Sequence, residues 1–237
     1  MILSCTTCAL RQPGKDEIEE TLRHAPGAGF THWGLAGPLT WARQAISQID
    51  IPNLLERANA AGLTHITEVY AFSIPTDSVI EAESAIDDLM LNVEAAIELD
   101  CPLVVFSGGK RTDNGLLPTI AGLKKLSGLI EGLPIKIGLE PHLRSQFQEA
   151  SDFDTIFTEI DSPQIGITID TGHFHAAGVD WKAIIRQYAD KIYNIHLKDM
   201  VGTQSVPIGE GEVDLPGLIE ELRAIGYQRA LALELEV

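Results

Sequence analysis

Basic residues are scarce in this sequence: 17 Lys and Arg stand against 34 Asp and Glu, a formal net charge of −17 over 237 residues. A chain that grips a phosphate backbone needs cationic surface to release counterions, so a nucleic-acid partner is disfavoured. Cysteine is scarce too. Three residues, an odd number, argue against a disulfide framework and suit a reducing compartment. Cys5 and Cys8 form a lone C-x-x-C, without the second pair that a ribbon-type zinc site requires, and they read as structural. No apolar run approaches the roughly 20 residues that span a bilayer, and no basic stretch leads into an apolar one at the N-terminus. A cytoplasmic enzyme with no membrane partner is therefore expected. The first apolar run is followed by no glycine-rich dinucleotide turn, which disfavours an open doubly wound sheet. Aromatic residues make up 6% against a hydrophobic total of 45%, the profile of an aliphatic core rather than of a disordered chain.

A repeat is present instead. Short β-rich runs alternate with longer amphipathic stretches: ILSC (2–5), THWGL (31–35), ITEVYAF (66–72), LVVFS (103–107), IKIGLE (135–140), IGITID (165–170), IYNIH (192–196) and ALALELE (230–236). Helical patterns lie between them, among them 16–24, 77–99, 115–131, 180–189 and 215–225. Gly62 and Gly226 follow two of these, where a helix commonly ends in a left-handed residue. Asp214, with Pro216 close behind, reads as a helix start. Such alternation implies parallel strands joined by helical crossovers, and eight units of about 30 residues close a barrel. The expected fold is a single-domain (β/α)8 TIM barrel over residues 1–237, lacking its last helix. Leu231, Leu233 and Leu235 would then leave an apolar strip outside the last strand. Covering a Leu is worth roughly 1.5–3 kcal/mol per side chain, so a homodimer is expected to cover what the first and seventh helices do not.

Side chains alternate along a strand, one set facing the barrel axis and the other packing under the helices. In the last four strands the apolar set includes Leu139, Ile169, Ile195 and Leu233, while the other set ends in Glu140, Asp170, His196 and Glu234. Three carboxylates and an imidazole thus converge at the C-terminal mouth. Like charges brought together are costly unless a cation neutralises them. Three oxygens and one imidazole suit a single divalent ion such as Mn2+, Mg2+, Co2+ or Zn2+. Glu236 points the same way as Glu234, so either could serve.

The segments LEPH (139–142), IDTGHFH (169–175), NIHLKD (194–199), GEGEVD (209–214) and ALELE (232–236) together resemble the xylose isomerase-like barrel superfamily. That group holds sugar isomerases, ketose epimerases, hydroxypyruvate isomerases, dehydratases and apurinic endonucleases. The resemblance is dense in the last four units and architectural before them. It implies that Glu140, Asp170, His196 and Glu234 ligate one metal, with the motif favouring Glu234 over Glu236. It also implies that Glu140 and Glu234 form the acid–base pair and that His173 binds a substrate oxygen. The implied activity is isomerisation or epimerisation of a small sugar, sugar phosphate or α-hydroxy carbonyl compound, by proton transfer through an enediolate. A metal-dependent lyase or hydrolase, or a sugar-binding protein without catalysis, are the alternatives.

Lys198, Glu68 and His142 are further candidate substrate contacts. Lys198 either holds an anionic oxygen or pairs with Asp199. Glu68 ends the third run, and His142 and His175 sit beside the motif residues. Trp33 either walls a sugar site or joins the core. Ser107-Gly108-Gly109-Lys110-Arg111 either cradles a phosphate through its backbone N–H groups or forms a plain tight turn.

Overall fold

The computed structural model describes residues 1–235. Along it run strands β1 (Ile2–Thr6), β2 (His32–Ala36), β3 (His65–Tyr70), β4 (Leu103–Ser107), β5 (Lys136–Glu140), β6 (Ile165–Asp170), β7 (Ile192–Leu197), β8 (Asp199–Val201), β9 (Gln204–Val206) and β10 (Ala230–Leu233). All but β8 and β9 join one closed parallel barrel in the order β1-β10-β7-β6-β5-β4-β3-β2. Strands β8 and β9 form a small antiparallel hairpin above it. The crossovers carry α1 (Glu17–His24), α2 (Pro38–Trp41), α3 (Ile51–Ala61), α4 (Val79–Glu98), α5 (Leu117–Ile130), α6 (Ala150–Glu159), α7 (Thr171–Ala177), α8 (Trp181–Gln187) and α9 (Leu215–Ala224). Among the described residues no helix is long and apolar enough to cross a membrane.

Local chemistry sets the helix ends. Asp16, Asp50, Ser78, Asp180 and Asp214 each accept a backbone N–H in the first turn of the helix that follows, satisfying donors with no intrahelical partner. Helix α3 ends at Gly62 with φ of 96°, a left-handed position that costs a residue without Cβ little.

The strand alternation divides the interior as expected. Outward residues Ile137, Leu139, Ile167, Ile169, Ile195 and Leu231 merge with helix residues into one buried apolar core. A smaller cluster, including Tyr70, Leu103, Val105 and Tyr193, fills the barrel itself. Two register shifts break the alternation. Trp33 pairs with Ile66 but Gly34 with Glu68, so Thr67 is an extra residue. Ile167 pairs with Ile192 but Thr168 with Asn194, so Tyr193 is another. A bulge of this kind re-aims side chains. Plain alternation would set Tyr193 outside with Ile195, and the bulge turns it into the barrel cluster instead.

The last strand is shorter than its sequence run suggests. It ends at Leu233, although the Glu234 N–H still bonds the Leu197 carbonyl at 3.2 Å. Glu236 lies outside the described residues. Of the expected apolar strip, Leu231 is buried and Leu233 and Leu235 are half-buried. Leu3, on the adjoining β1, is 63% exposed.

Candidate metal centre

Glu140 closes β5, Asp170 closes β6, His196 is the penultimate residue of β7, and Glu234 follows β10 directly. Each offers one donor atom, and all four atoms lie within 4.8 Å of one another. Each residue is at most 2% exposed. His196 Nδ1 is 2.5 Å from Glu140 Oε1, 2.7 Å from Glu234 Oε2 and 3.8 Å from Asp170 Oδ2. Asp170 serves two ends at once. Its Oδ1 caps α7 by accepting the His173 N–H at 2.7 Å, which leaves Oδ2 facing the cluster.

Burial and mutual charge shift all four members of the cluster. Burial lifts Glu140 to about 8, and the neighbouring Glu234 adds to the shift. Burial also opposes ionisation of Glu234, but His196 and Lys198 overcome it and hold that carboxyl well below its ordinary range. Asp170 is lowered likewise: Lys198 and His173 outweigh its burial. For His196, burial disfavours the imidazolium, yet Glu234, Glu68 and Glu140 raise its pKa well above the usual value. Asp170 Oδ2 and Glu234 Oε2 are buried, the first 2.8 Å from Lys198 Nζ and the second 2.7 Å from His196 Nδ1. Three carboxylate oxygens converging on a ring nitrogen within 4.8 Å fit a divalent ion.

Lys198 is buried and points into the cluster, with Nζ 2.8 Å from Asp170 Oδ2 and 3.4 Å from Glu234 Oε2. It does not pair with Asp199. That carboxylate instead accepts backbone N–H groups of Gly209, Gly211, Val213 and Met200, and so pins the loop after the β8–β9 hairpin. His173 lies on α7, its Nε2 3.4 Å from Lys198 Nζ, and its ring meets that of His142 with centroids 3.7 Å apart. A cavity of about 410 Å³, lined in part by His142, Arg144, His173 and Lys198, opens on one side of the cluster. A second, of about 240 Å³, is lined by Trp41, Tyr70, Phe72, Ser107, His142 and Glu234.

One expectation needs correction, and several open readings are decided. Glu68 is not a pocket residue: it is fully buried below the cluster, where Oε2 accepts from Asn194 and His196. Trp33 belongs to the outer core, and the tryptophan near the mouth is Trp41, edge-on to Tyr70. The Gly108–Arg111 turn makes no phosphate cradle. Arg111 is held by both oxygens of Asp152, and Gly109 sits so close to the Ile74 carbonyl that no Cβ would fit. His175 lies 3.4 Å from Glu212, away from the cluster.

Two residues at the site carried no signal strong enough to single them out. The Tyr70 hydroxyl donates to Glu140 Oε2. It follows Glu68 by two positions on the same strand face, so extending the alternation one step would have found it. Cys8, read as merely structural, donates its thiol to Glu234 Oε1 at 3.3 Å.

The family model described as a xylose isomerase-like TIM barrel matches residues 22–237. The inosose dehydratase of Lacticaseibacillus casei is 25% identical over 145 residues, which cover 53% of this chain and 48% of that protein. The chain spans about half the length of the first curated relatives it matches. A structure described as a D-tagatose 3-epimerase-like protein superposes with a TM-score of 0.82 at 20% identity, covering 100% of this chain and 92% of the other. The zinc-bound IOLI protein superposes with a TM-score of 0.74 at 20% identity, covering 99% and 89%. At such identities the superpositions speak for the fold.

Proposed function

We propose, from the premise that this chain belongs to the xylose isomerase-like TIM-barrel family, that it is a divalent-metal-dependent isomerase or epimerase of a small polyhydroxy carbonyl compound. The observation that carries this reading is the buried set Glu140, Asp170, His196 and Glu234, whose donor atoms converge within 4.8 Å. These four residues would hold the ion, with Zn2+, Mn2+, Co2+ and Mg2+ all compatible with the donor set. A bound divalent ion would polarise the substrate carbonyl and acidify the adjacent C–H.

The side chains supply the rest. As ligands of the ion Glu140 and Glu234 would both be ionised, and the Tyr70 hydroxyl fixes Glu140 by donating to its Oε2. One of these two carboxylates takes the carbon-bound proton, an enediolate forms, and the pair returns a proton to carbon. Return to the opposite face of the same carbon gives an epimer, and return to the neighbouring carbon gives an isomer. Lys198 and His173 would bind the enediolate oxygens and adjacent hydroxyls from the larger cavity, and His142 lines both cavities. Trp41 and Tyr70 offer flat apolar faces to a sugar ring. The same reading includes a cytoplasmic, single-domain protein that pairs with a second copy through its Leu3 face.

A dehydratase is the second reading, favoured by the name of the Lacticaseibacillus casei relative. It shares the first step, C–H removal, and then expels a hydroxyl from the neighbouring carbon. Incubation with ketoses and inososes in deuterated water, with a divalent ion present, tests both readings. Proton transfer predicts solvent deuterium at the reacting carbon of recovered substrate or product. Loss of water distinguishes the dehydratase. Complete retention of the substrate hydrogen during turnover would contradict both and leave the two glutamates as ligands alone.

A further inference from the structure

His196 has two ring nitrogens, and only one faces the cluster. Nδ1 lies among Glu140, Asp170 and Glu234, while Nε2 lies 2.8 Å from Glu68 Oε2. That same oxygen accepts from Asn194 Nδ2 at 2.8 Å. Glu68, Asn194 and His196 are all 0% exposed. Glu68 belongs to β3, on the other side of the barrel from β7, and reaches His196 through the interior. Room for it exists because residue 34 is glycine. A Cβ at Gly34 would lie 2.8 Å from Glu68 Cγ and 2.9 Å from its Oε1. A carboxylate buried on a barrel axis is costly to keep and contributes less to packing than an aliphatic side chain of similar size. Its position is better explained by what it does to the ring it touches.

Resting on the metal-site reading above, we propose that Glu68 is a positioning residue for the metal. It holds His196 as the Nε2–H tautomer, turns the Nδ1 lone pair toward Glu140, Asp170 and Glu234, and makes that nitrogen a stronger donor to a divalent ion. Gly34 provides the space and Asn194 fixes the carboxylate oxygen. Glu68 itself touches neither the ion nor the substrate.

The test begins with metal-stripped protein titrated with Zn2+ and with Co2+. Wild type binds one ion, and Glu68→Gln, which keeps the shape and changes the acceptor, weakens binding by about 10-fold or more. The Co2+ ligand-field bands of that variant shift, because the imidazole donor has changed. Gly34→Ala, which pushes Glu68 off its place, changes affinity in the same direction. Full wild-type affinity with unshifted bands in Glu68→Gln overturns the proposal. Wild type that is folded but binds no ion overturns the metal-site reading itself, and this proposal with it. If Glu68→Gln does not fold, wild type decides alone. With nitrogen-labelled histidine and a spin-active cadmium isotope bound, coupling to His196 Nδ1 and a proton on Nε2 are expected. Coupling to Nε2, or loss of its proton, contradicts the assignment.

Discussion

Six ionisable side chains, Glu68, Glu140, Asp170, His196, Lys198 and Glu234, meet inside the barrel mouth at no more than 2% exposure each. Such a group is stable only if protons or a cation balance it. In the metal-free chain, burial keeps the Glu140 proton on up to about 8, and the surrounding carboxylates, working against burial, keep the His196 proton on well above the usual histidine value. An ion needs both groups without those protons. Raised pKa values mean that protons compete from the low-pH side, so metal affinity should climb as pH rises through about 8 and binding should release protons. Calorimetry in buffers of different ionisation enthalpy measures that release, and affinity that is flat with pH would contradict it. Removing single donors gives a second expectation. Glu140→Gln, Asp170→Asn, His196→Ala and Glu234→Gln should each weaken binding by about 10-fold or more. Arg111→Ala, whose partner is Asp152 on α6, should leave metal binding unchanged.

At the level of elements, one carboxylate holds a whole loop in place. Burial would raise Asp199, but four backbone N–H groups outweigh it and lower its pKa. A depressed folded-state pKa stabilises the chain above the ordinary carboxylate range, and that contribution is lost as pH falls through the folded value. Asp199→Ala leaves the buried Met200 and Val213 amides without this partner and should cost about 1–3 kcal/mol, read from the denaturation midpoint. An unchanged midpoint would show that the loop is held by other contacts. The elements also show what a sequence can reveal. The bounds of β4 and β6 match their apolar runs, and Glu140, Asp170, His196 and Glu234 follow from simple alternation at strand ends. Glu68 and Tyr70 were harder to place. The extra residue at Thr67 shifts the register there, and the strand continues past Glu68, so its pocket end is Tyr70. The β8–β9 hairpin escaped notice because it consists of two three-residue strands around Gly202, too short for a period to show. The contact of Cys8 with Glu234 joins residues at opposite ends of the chain and has no local signature.

For the whole molecule, the barrel brings β1 against β10, and an apolar side chain of that seam is exposed. Leu3 is 63% exposed there, beside the half-buried Leu233 and Leu235. Exposed apolar patches commonly mark interfaces. Sedimentation should therefore find a dimer that Leu3→Asp dissociates without unfolding, whereas a wild type that stays monomeric at high concentration would rule it out. Barrel closure also turns four separate strand ends into one centre, and that convergence is what the functional reading rests on. A crystal of the chain grown with Mn2+ or Zn2+, recorded across the absorption edge of the metal, tests it. One anomalous peak should appear, bonded to an oxygen of each of Glu140, Asp170 and Glu234 and to His196 Nδ1. A peak at other residues, or none with the ion in excess, would contradict the metal centre and the chemistry derived from it.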